Sequence, residues 1–249
     1  MPESSSTPKI YIPELGEFNE DLEGSRKRLL EGHAYRDLST ILVVPTRGLI
    51  HARVVQSWIS LMPNMNQKLV RIPPMVLGSG MEVGHAYNNM VEQIMAHPIL
   101  RTFKFLLTLE EDNMPPADGL QRLHKAMCDG PWAAVGGLYW TKGEGGQPMI
   151  YGDPEESVLG FQPQVPKKDT VQECRGLGMG FTMFDLSLFM DEELRKPWFR
   201  TVMDCGPGGA STMTQDLYFF QDLARHGYRV ACDTSCKVGH FSVDEDKVW

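Results

Sequence analysis

Three adjacent acids, Glu110, Glu111 and Asp112, close an apolar run in the stretch FLLTLEEDNMPP, Phe105 to Pro116. Like charges at this spacing repel, so the cluster needs a reason. Carboxylates gathered at one place become tolerable when a divalent cation neutralises them. If the apolar run is a strand, Glu110 and Asp112 leave it on one side and Glu111 on the other. An acid-x-acid pair at a strand end can hold Mg²⁺ or Mn²⁺ through one or two carboxylates, with substrate phosphates completing the coordination. The alternative is a solvated acidic turn ahead of a proline-started helix, where negative charge favours the helix N-terminus. The triplet alone leaves both readings open.

Other residues invite chemistry of their own. Asp216 is the only acid in GGASTMTQDLYFF and falls at a helix start after small residues. There it can serve as a general base facing a cleft, or as an N-terminal acid favoured by the helix dipole. Cys232, Cys236 and His240 recur at every fourth position. On a strand they would share a face yet spread over ~26 Å, too far for one tetrahedral zinc site. Buried structural cysteines are the expectation. His240, with only VGHF around it, suits a satisfied core histidine as well as a ligand. GLGMG, Gly176 to Gly180, lacks the sixth-position glycine of a dinucleotide-binding turn and lies outside the first strand–turn–helix unit. Its glycines point to close approach of the backbone to a sugar or to a neighbouring segment. Tyr139 and Trp140 fit a stacking floor for a ligand or an ordinary core.

The elements that must position these residues alternate. STILVVPTRG (Ser39 to Gly48) reads as a fully buried strand, and LIHARVVQSWISLM as a helix with Leu49, Val54, Trp58 and Leu61 on one face. QKLVRIPPMVLGSG offers a second strand or two. MEVGHAYNNMVEQIMAHP follows as a helix with Val83, Ala86, Met90, Ile94 and Met95 together. RTFKFLLTL is a strand, residues 117–128 a helix, and WAAVGGLYWTK with QPMIYG a hairpin or a strand pair. A polar loop spans about 152–172. The chain ends in a helix from Thr214 to Arg225, stopped at Gly227, with a strand or two behind it. Strands alternating with helices imply βαβ units and a mainly parallel sheet, whose ligands bind beyond the carboxyl ends of the strands. Thr46-Arg47-Gly48, Gly78-Ser79-Gly80 and the three acids would line that edge.

Composition sets the outer bounds. The 249 residues are 42% hydrophobic and 22% charged, ordinary for a folded soluble chain. A net charge of −8 gives no general pull toward nucleic acid or anionic lipid. Five irregularly spaced cysteines are no disulfide framework and suggest a reducing compartment. No signal peptide and no apolar run near the ~18 residues of a membrane span is visible, so a cytoplasmic location without stable membrane insertion is expected.

Taken in order, these segments resemble the GT-A glycosyltransferases, in particular the family 2-like enzymes. ILVVPTRG is similar to their first nucleotide-binding strand, and HAYNNMVEQI to the helix that precedes the metal-binding strand. FLLTLEEDNMPP resembles their hydrophobic strand and Asp-x-Asp motif. WAAVGGLYWTKGEGGQPMIYG and RGLGMGFTMFDLSLF resemble their central strands and Gly-rich acceptor-side segment. TQDLYFFQDLARHGYRVACDTSCKVGHF is similar to the helix bearing the catalytic acid, followed by a strand and a metal-binding histidine. The resemblance covers roughly residues 39–242. It implies an α/β fold of GT-A (Rossmann-like) type, a mixed and mainly parallel sheet flanked by helices, in a single domain over 39–249 behind an N-terminal extension of residues 1–38.

The resemblance also implies roles. Glu110, Asp112 and His240 would hold Mn²⁺ or Mg²⁺ on the diphosphate of a UDP- or GDP-sugar. Pro45, Thr46 and Arg47 would line the nucleoside pocket, with Asn88 and Glu111 also contacting the donor. Asp216 would deprotonate a hydroxyl acceptor of unknown class (glycan, lipid, protein or modified nucleobase), giving transfer with inversion. The chain departs from the family pattern at three places. Glu110 stands for the first motif Asp, Gln215 precedes the catalytic acid, and Tyr87 stands where Arg is common, leaving one diphosphate contact unassigned. A retaining enzyme, a sugar nucleotidyltransferase and a catalytically silent nucleotide- or sugar-binding module remain the alternatives. The nucleotidyltransferase would open with a Gly-rich basic loop, which PTRGLIHAR is not.

Overall fold

The apolar, β-branched run at Thr40–Thr46 is buried along almost its whole length. Such a strand needs cover on both faces, and the computed structural model provides it; residues 9–11, 37–65, 75–156, 160–206 and 209–249 are described. In chain order the main elements are β1 (Lys9–Tyr11), β2 (Thr40–Thr46), α1 (Ala52–Met65), β3 (Met75–Ser79), α2 (Val83–Ala96), β4 (Phe105–Leu109) and β5 (Asn113–Met114). Then come α3 (Gly119–Asp129), β6 (Ala134–Leu138), β7 (Ile150–Tyr151), β8 (Val171–Cys174), β9 (Gly176–Leu177) and β10 (Phe181–Asp185). The hairpin β11 (Val202–Gly206) and β12 (Gly209–Met213), α4 (Gln215–Arg225), β13 (Val230–Lys237), β14 (Gly239–Ser242) and β15 (Lys247–Val248) complete the described chain.

Eight strands form the central sheet in the order β1-β3-β2-β4-β10-β6-β13-β8. β2 runs parallel to β3 and β4, and β13 parallel to β6. β10 is antiparallel to both of its neighbours, and the edge strands β1 and β8 are antiparallel to theirs. Five of the eight strands, β2, β3, β4, β6 and β13, therefore run one way, giving the mixed, mainly parallel sheet flanked by helices that the sequence implied. Ile41 and Val43 point to one core with α2 and α4, while Leu42 and Val44 point to the other with α1 and α3. This alternation is why the strand reads as continuously apolar. Three residues of the expected N-terminal extension, Lys9 to Tyr11, add the edge strand; the rest of 1–36 lies outside the described residues, as does the whole segment 66–74 between α1 and β3.

The helices follow their periodicity. In α1, Val54, Trp58 and Leu61 are buried at helical spacing. Leu49, expected on the same face, precedes the helix and is 90% exposed. In α2, Ala86, Met90 and Ile94 are buried together with Tyr87 and Val91, and the Glu82 carboxylate caps the helix by accepting from the His85 amide. No helix among the described residues is long and apolar enough to cross a membrane.

One packing detail carries a pH dependence. His124 on α3 lies 2.8 Å from Thr40 Oγ1, whose hydroxyl donates to the Leu38 carbonyl, so the histidine Nε2–H must be the donor. Burial lowers the His124 pKa from 6.5 to about 4. Unfolded chains take up this proton below pH 6.5 whereas the folded protein resists until about pH 4. Stability is thus lost as pH falls through that window, by about 3 kcal/mol in full. His124→Gln keeps an N–H for Thr40 and cannot charge. Its stability relative to wild type should rise by about this amount between pH 7 and pH 4 in denaturant titrations; a pH-independent difference would refute the assignment.

Candidate functional site

The carboxyl ends of β2, β3, β4 and β6 and the amino end of the antiparallel β10 meet at one edge of the sheet. Register places Thr46 beside Ser79 and Phe181 beside Leu109. The chain leaves β4 at Leu109, and the Asn113 amide donates to the Glu110 carbonyl at 3.0 Å, closing a turn over the acids. The expected strand alternation of Glu110 and Asp112 therefore does not hold, because the backbone has already turned. Each acid instead meets a different partner.

Glu111 is engaged by the loop after β2. Its Oε2 accepts from Thr46 Oγ1 at 2.7 Å and from the Arg47 amide at 2.8 Å, and Arg47 Nε pairs with Oε1. The acid fixes the PTRG loop to the motif turn, while the Arg47 side chain stays 84% exposed. Glu110 turns inward and accepts from Tyr87 Oη at 3.1 Å. Burial first, then the charges of Asp112 and Asp216, raise the Glu110 pKa to about 8. Asp112 sits in the opposite regime. Burial works to raise it, but the His240 and Lys142 side chains beside it outweigh this and hold the carboxyl at about 2.

The Asp112 contacts come from two distant segments. β14 pairs antiparallel with β5, setting His240 opposite Asn113. This brings His240 Nε2 to 3.5 Å from Asp112 Oδ2. His240 Nδ1 lies 2.8 Å from the Trp140 carbonyl, an acceptor only, so Nδ1 carries the proton. Lys142 Nζ reaches the same Asp112 oxygen at 2.5 Å. Lys142 was not legible as a site residue; its only signal is a cation inside the Gly-rich KGEGG that follows a central strand.

Asp216 lies in the first turn of α4, 6% exposed, with Thr214 Oγ1 and the Leu217 amide both donating to its Oδ1. Burial raises its pKa. Its charge adds to the raised pKa of Glu110, after burial and the charge of Asp112. Asn88 is placed differently. Its Nδ2 donates to the Gly84 and Phe199 carbonyls and its Oδ1 accepts from the Phe199 amide, so its polar atoms tie α2 to the segment before β11. Tyr87 is fully buried, and its hydroxyl serves Glu110.

The glycines of GLGMG approach neighbouring segments. A Cβ on Gly178 would stand 2.1 Å from Tyr139 Oη, and one on Gly180 would stand 2.4 Å from Asn113 Oδ1. Tyr139 is core, its hydroxyl accepting from the Gly180 amide at 2.9 Å, and its ring meets that of His240 edge-on at 5.5 Å. The Asn113 side-chain amide is fully buried and without a hydrogen-bond partner among the described residues. Cys232 and Cys236 are buried, and burial pushes both thiols up.

The fit of a divalent cation is testable on His240. With Nδ1–H committed to Trp140, the Nε2 lone pair faces the Asp112 carboxylate across 3.5 Å. Two acceptors held face to face need a positive charge at hand, which the Lys142 ammonium on the same Asp112 oxygen supplies and a metal ion would supply in its place. A carbonyl-oriented imidazole beside a carboxylate is a suitable donor pair when substrate oxygens supply the remainder. Among the described residues no group of three or more His, Cys, Asp or Glu side chains is arranged to hold a metal.

The fold has solved counterparts. The crystal structure of A197 from STIV superposes with a TM-score of 0.56 over 84% of this chain and 92% of that chain, at 19% sequence identity. The crystal structure of S. aureus TarS 1-349 in complex with UDP-GlcNAc matches with a TM-score of 0.44, 12% identity, 80% of this chain and 57% of that chain, too loose to bear on the site. The mixed α/β fold of this chain is thus shared with A197. At these identities the likeness speaks to fold alone. No family model and no curated protein matches the sequence.

Proposed function

We propose that the protein is a metal-dependent glycosyltransferase that moves a sugar from a nucleoside diphosphate to a hydroxyl acceptor with inversion. The observation that carries this reading is the Asp112–His240 pair at the motif turn, and the buried carboxyl of Asp216 at the start of α4 supports it. Asp112 and His240 would hold the cation, and Mn²⁺ or Mg²⁺ bound there would supply Lewis-acid stabilisation of a departing diphosphate. Thr46 and Arg47, locked to Glu111, present the nucleoside end of the donor with Pro45 behind them. Asp216 takes the proton of the attacking hydroxyl. Two donors to Oδ1 fix its orientation, and burial makes it a stronger base than an ordinary carboxylate. Glu110 stays close by as an acid held neutral by burial and by its carboxylate neighbours.

Thermal unfolding with UDP or GDP, in Mn²⁺ and in EDTA, tests the donor site. A nucleotide at 100-fold its dissociation constant should stabilise the protein by ~2.7 kcal/mol with metal and much less without it. Asp112→Asn should abolish the metal-linked part. Stabilisation that is equal in Mn²⁺ and EDTA, or that survives in Asp112→Asn, would remove the metal from the reading.

A further inference from the structure

We propose that Lys142 is a built-in counter-cation of the Asp112–His240 pair, one that a divalent ion displaces and that then serves the phosphate oxygens of the diphosphate. The inference rests on the metal reading above and assigns a role to a residue outside the sequence motifs.

Lys142 Nζ sits 2.5 Å from Asp112 Oδ2, the oxygen that faces His240 Nε2. An ammonium and a divalent ion on that one oxygen repel each other, so a bound ion weakens the Lys142 contact. Both side chains are well shielded, with Lys142 33% and Asp112 21% exposed, so the pair is stronger than a surface ion pair and metal binding must work against it. Arg47, the other cation at this turn, is already committed to Glu111. When the ion takes Asp112, Lys142 is left as a compact positive charge with three donors at the edge where the diphosphate would lie. A lysine is suited to phosphate as a point charge.

The supporting loop lets this happen. Lys142 follows a short ladder in which Met149 donates to Tyr139 and Thr141 donates to Gln147, and the Trp140 carbonyl at its base orients His240. Beyond Lys142 the tip turns on Gly143 and Gly145, at φ +101° and +74°, conformations that glycine adopts freely. No atom lies within 4 Å of where a Cβ would stand on either glycine. The base of the hairpin is thus tied to one metal ligand, while the tip just beyond Lys142 has open space at Gly143 and Gly145. The side chain can change partner without disturbing the core.

Two measurements test the exchange. Mn²⁺ alone, titrated by electron paramagnetic resonance, should bind Lys142→Met about tenfold more tightly than wild type, since the competing ammonium is gone. Asp112→Asn should lose the site. In the wild-type protein, acetylation of Lys142 followed by mass spectrometry should rise several-fold when Mn²⁺ saturates the site, and fall again when inorganic pyrophosphate is added. Equal Mn²⁺ affinity in wild type and Lys142→Met, or acetylation indifferent to Mn²⁺, overturns the counter-cation role while leaving the metal site standing. A rise with Mn²⁺ that pyrophosphate does not reverse overturns the assignment to the diphosphate. Absence of Mn²⁺ binding in both proteins overturns the metal site itself and this proposal with it.

Discussion

Asp216→Asn is expected to lower the turnover of sugar transfer by about 10²–10⁴-fold while leaving donor binding within a few-fold. Asparagine keeps the shape and an oxygen for Thr214 and Leu217, so α4 should start as before; what it cannot do is take a proton. The acid limb of the pH–rate profile adds a second signature. Because burial raises the Asp216 pKa, activity should fall off with acid above the ordinary carboxylate range, as the base becomes protonated. That limb should vanish from the residual activity of the variant. The assay is donor consumption at saturating UDP- or GDP-sugar, with binding measured separately by calorimetry. Turnover close to wild type would remove Asp216 from catalysis and leave it as a helix-start acid.

The second large effect is on stability, and its sign runs against intuition. Glu110→Gln should stabilise the metal-free protein at alkaline pH. In the unfolded chain Glu110 loses its proton near pH 4.5, whereas burial and the charges of Asp112 and Asp216 hold the folded pKa at about 8. Below pH 4.5 both states are protonated and the group is neutral in the balance. As pH rises from 4.5 toward 8 the unfolded state ionises first, so the folded state loses stability, by about 3–5 kcal/mol in full. Glutamine cannot ionise and still offers an oxygen to Tyr87. Denaturant titrations in EDTA at pH 5 and pH 8.5 should show a stability gain for the variant that is small at the first pH and several kcal/mol at the second. An equal difference at both would mean that Glu110 is ionised in the folded protein.

The paired carboxyls explain why two acids of one cluster behave so differently. Asp112 has two cationic or donating neighbours and stays ionised; Glu110 has a neutral phenol and two carboxyls around it and keeps its proton. Both follow an apolar strand in sequence, and nothing local separates them. Their environments are set by which segments arrive from elsewhere.

The sequence by itself determined the alternation of elements, the two-faced burial of β2, the helical faces of α1 and α2 and the position of the acids at the carboxyl edge of the sheet. These are consequences of hydrophobic periodicity, which reports how each segment meets a core and needs no knowledge of partners. It also determined that Cys232 and Cys236 are buried, since their spacing along a strand admits no shared metal. Only the tertiary structure decided that the acids sit on a turn, that Glu111 clasps the loop after β2, that Asn88 binds backbone, and that Asp112 meets His240 and Lys142. Those contacts depend on the pairing of β14 with β5 and on a hairpin whose tip has no apolar pattern. Polar side chains find one another through register between distant strands, and that register is fixed by the packing of the whole sheet rather than by any residue's neighbours in the chain.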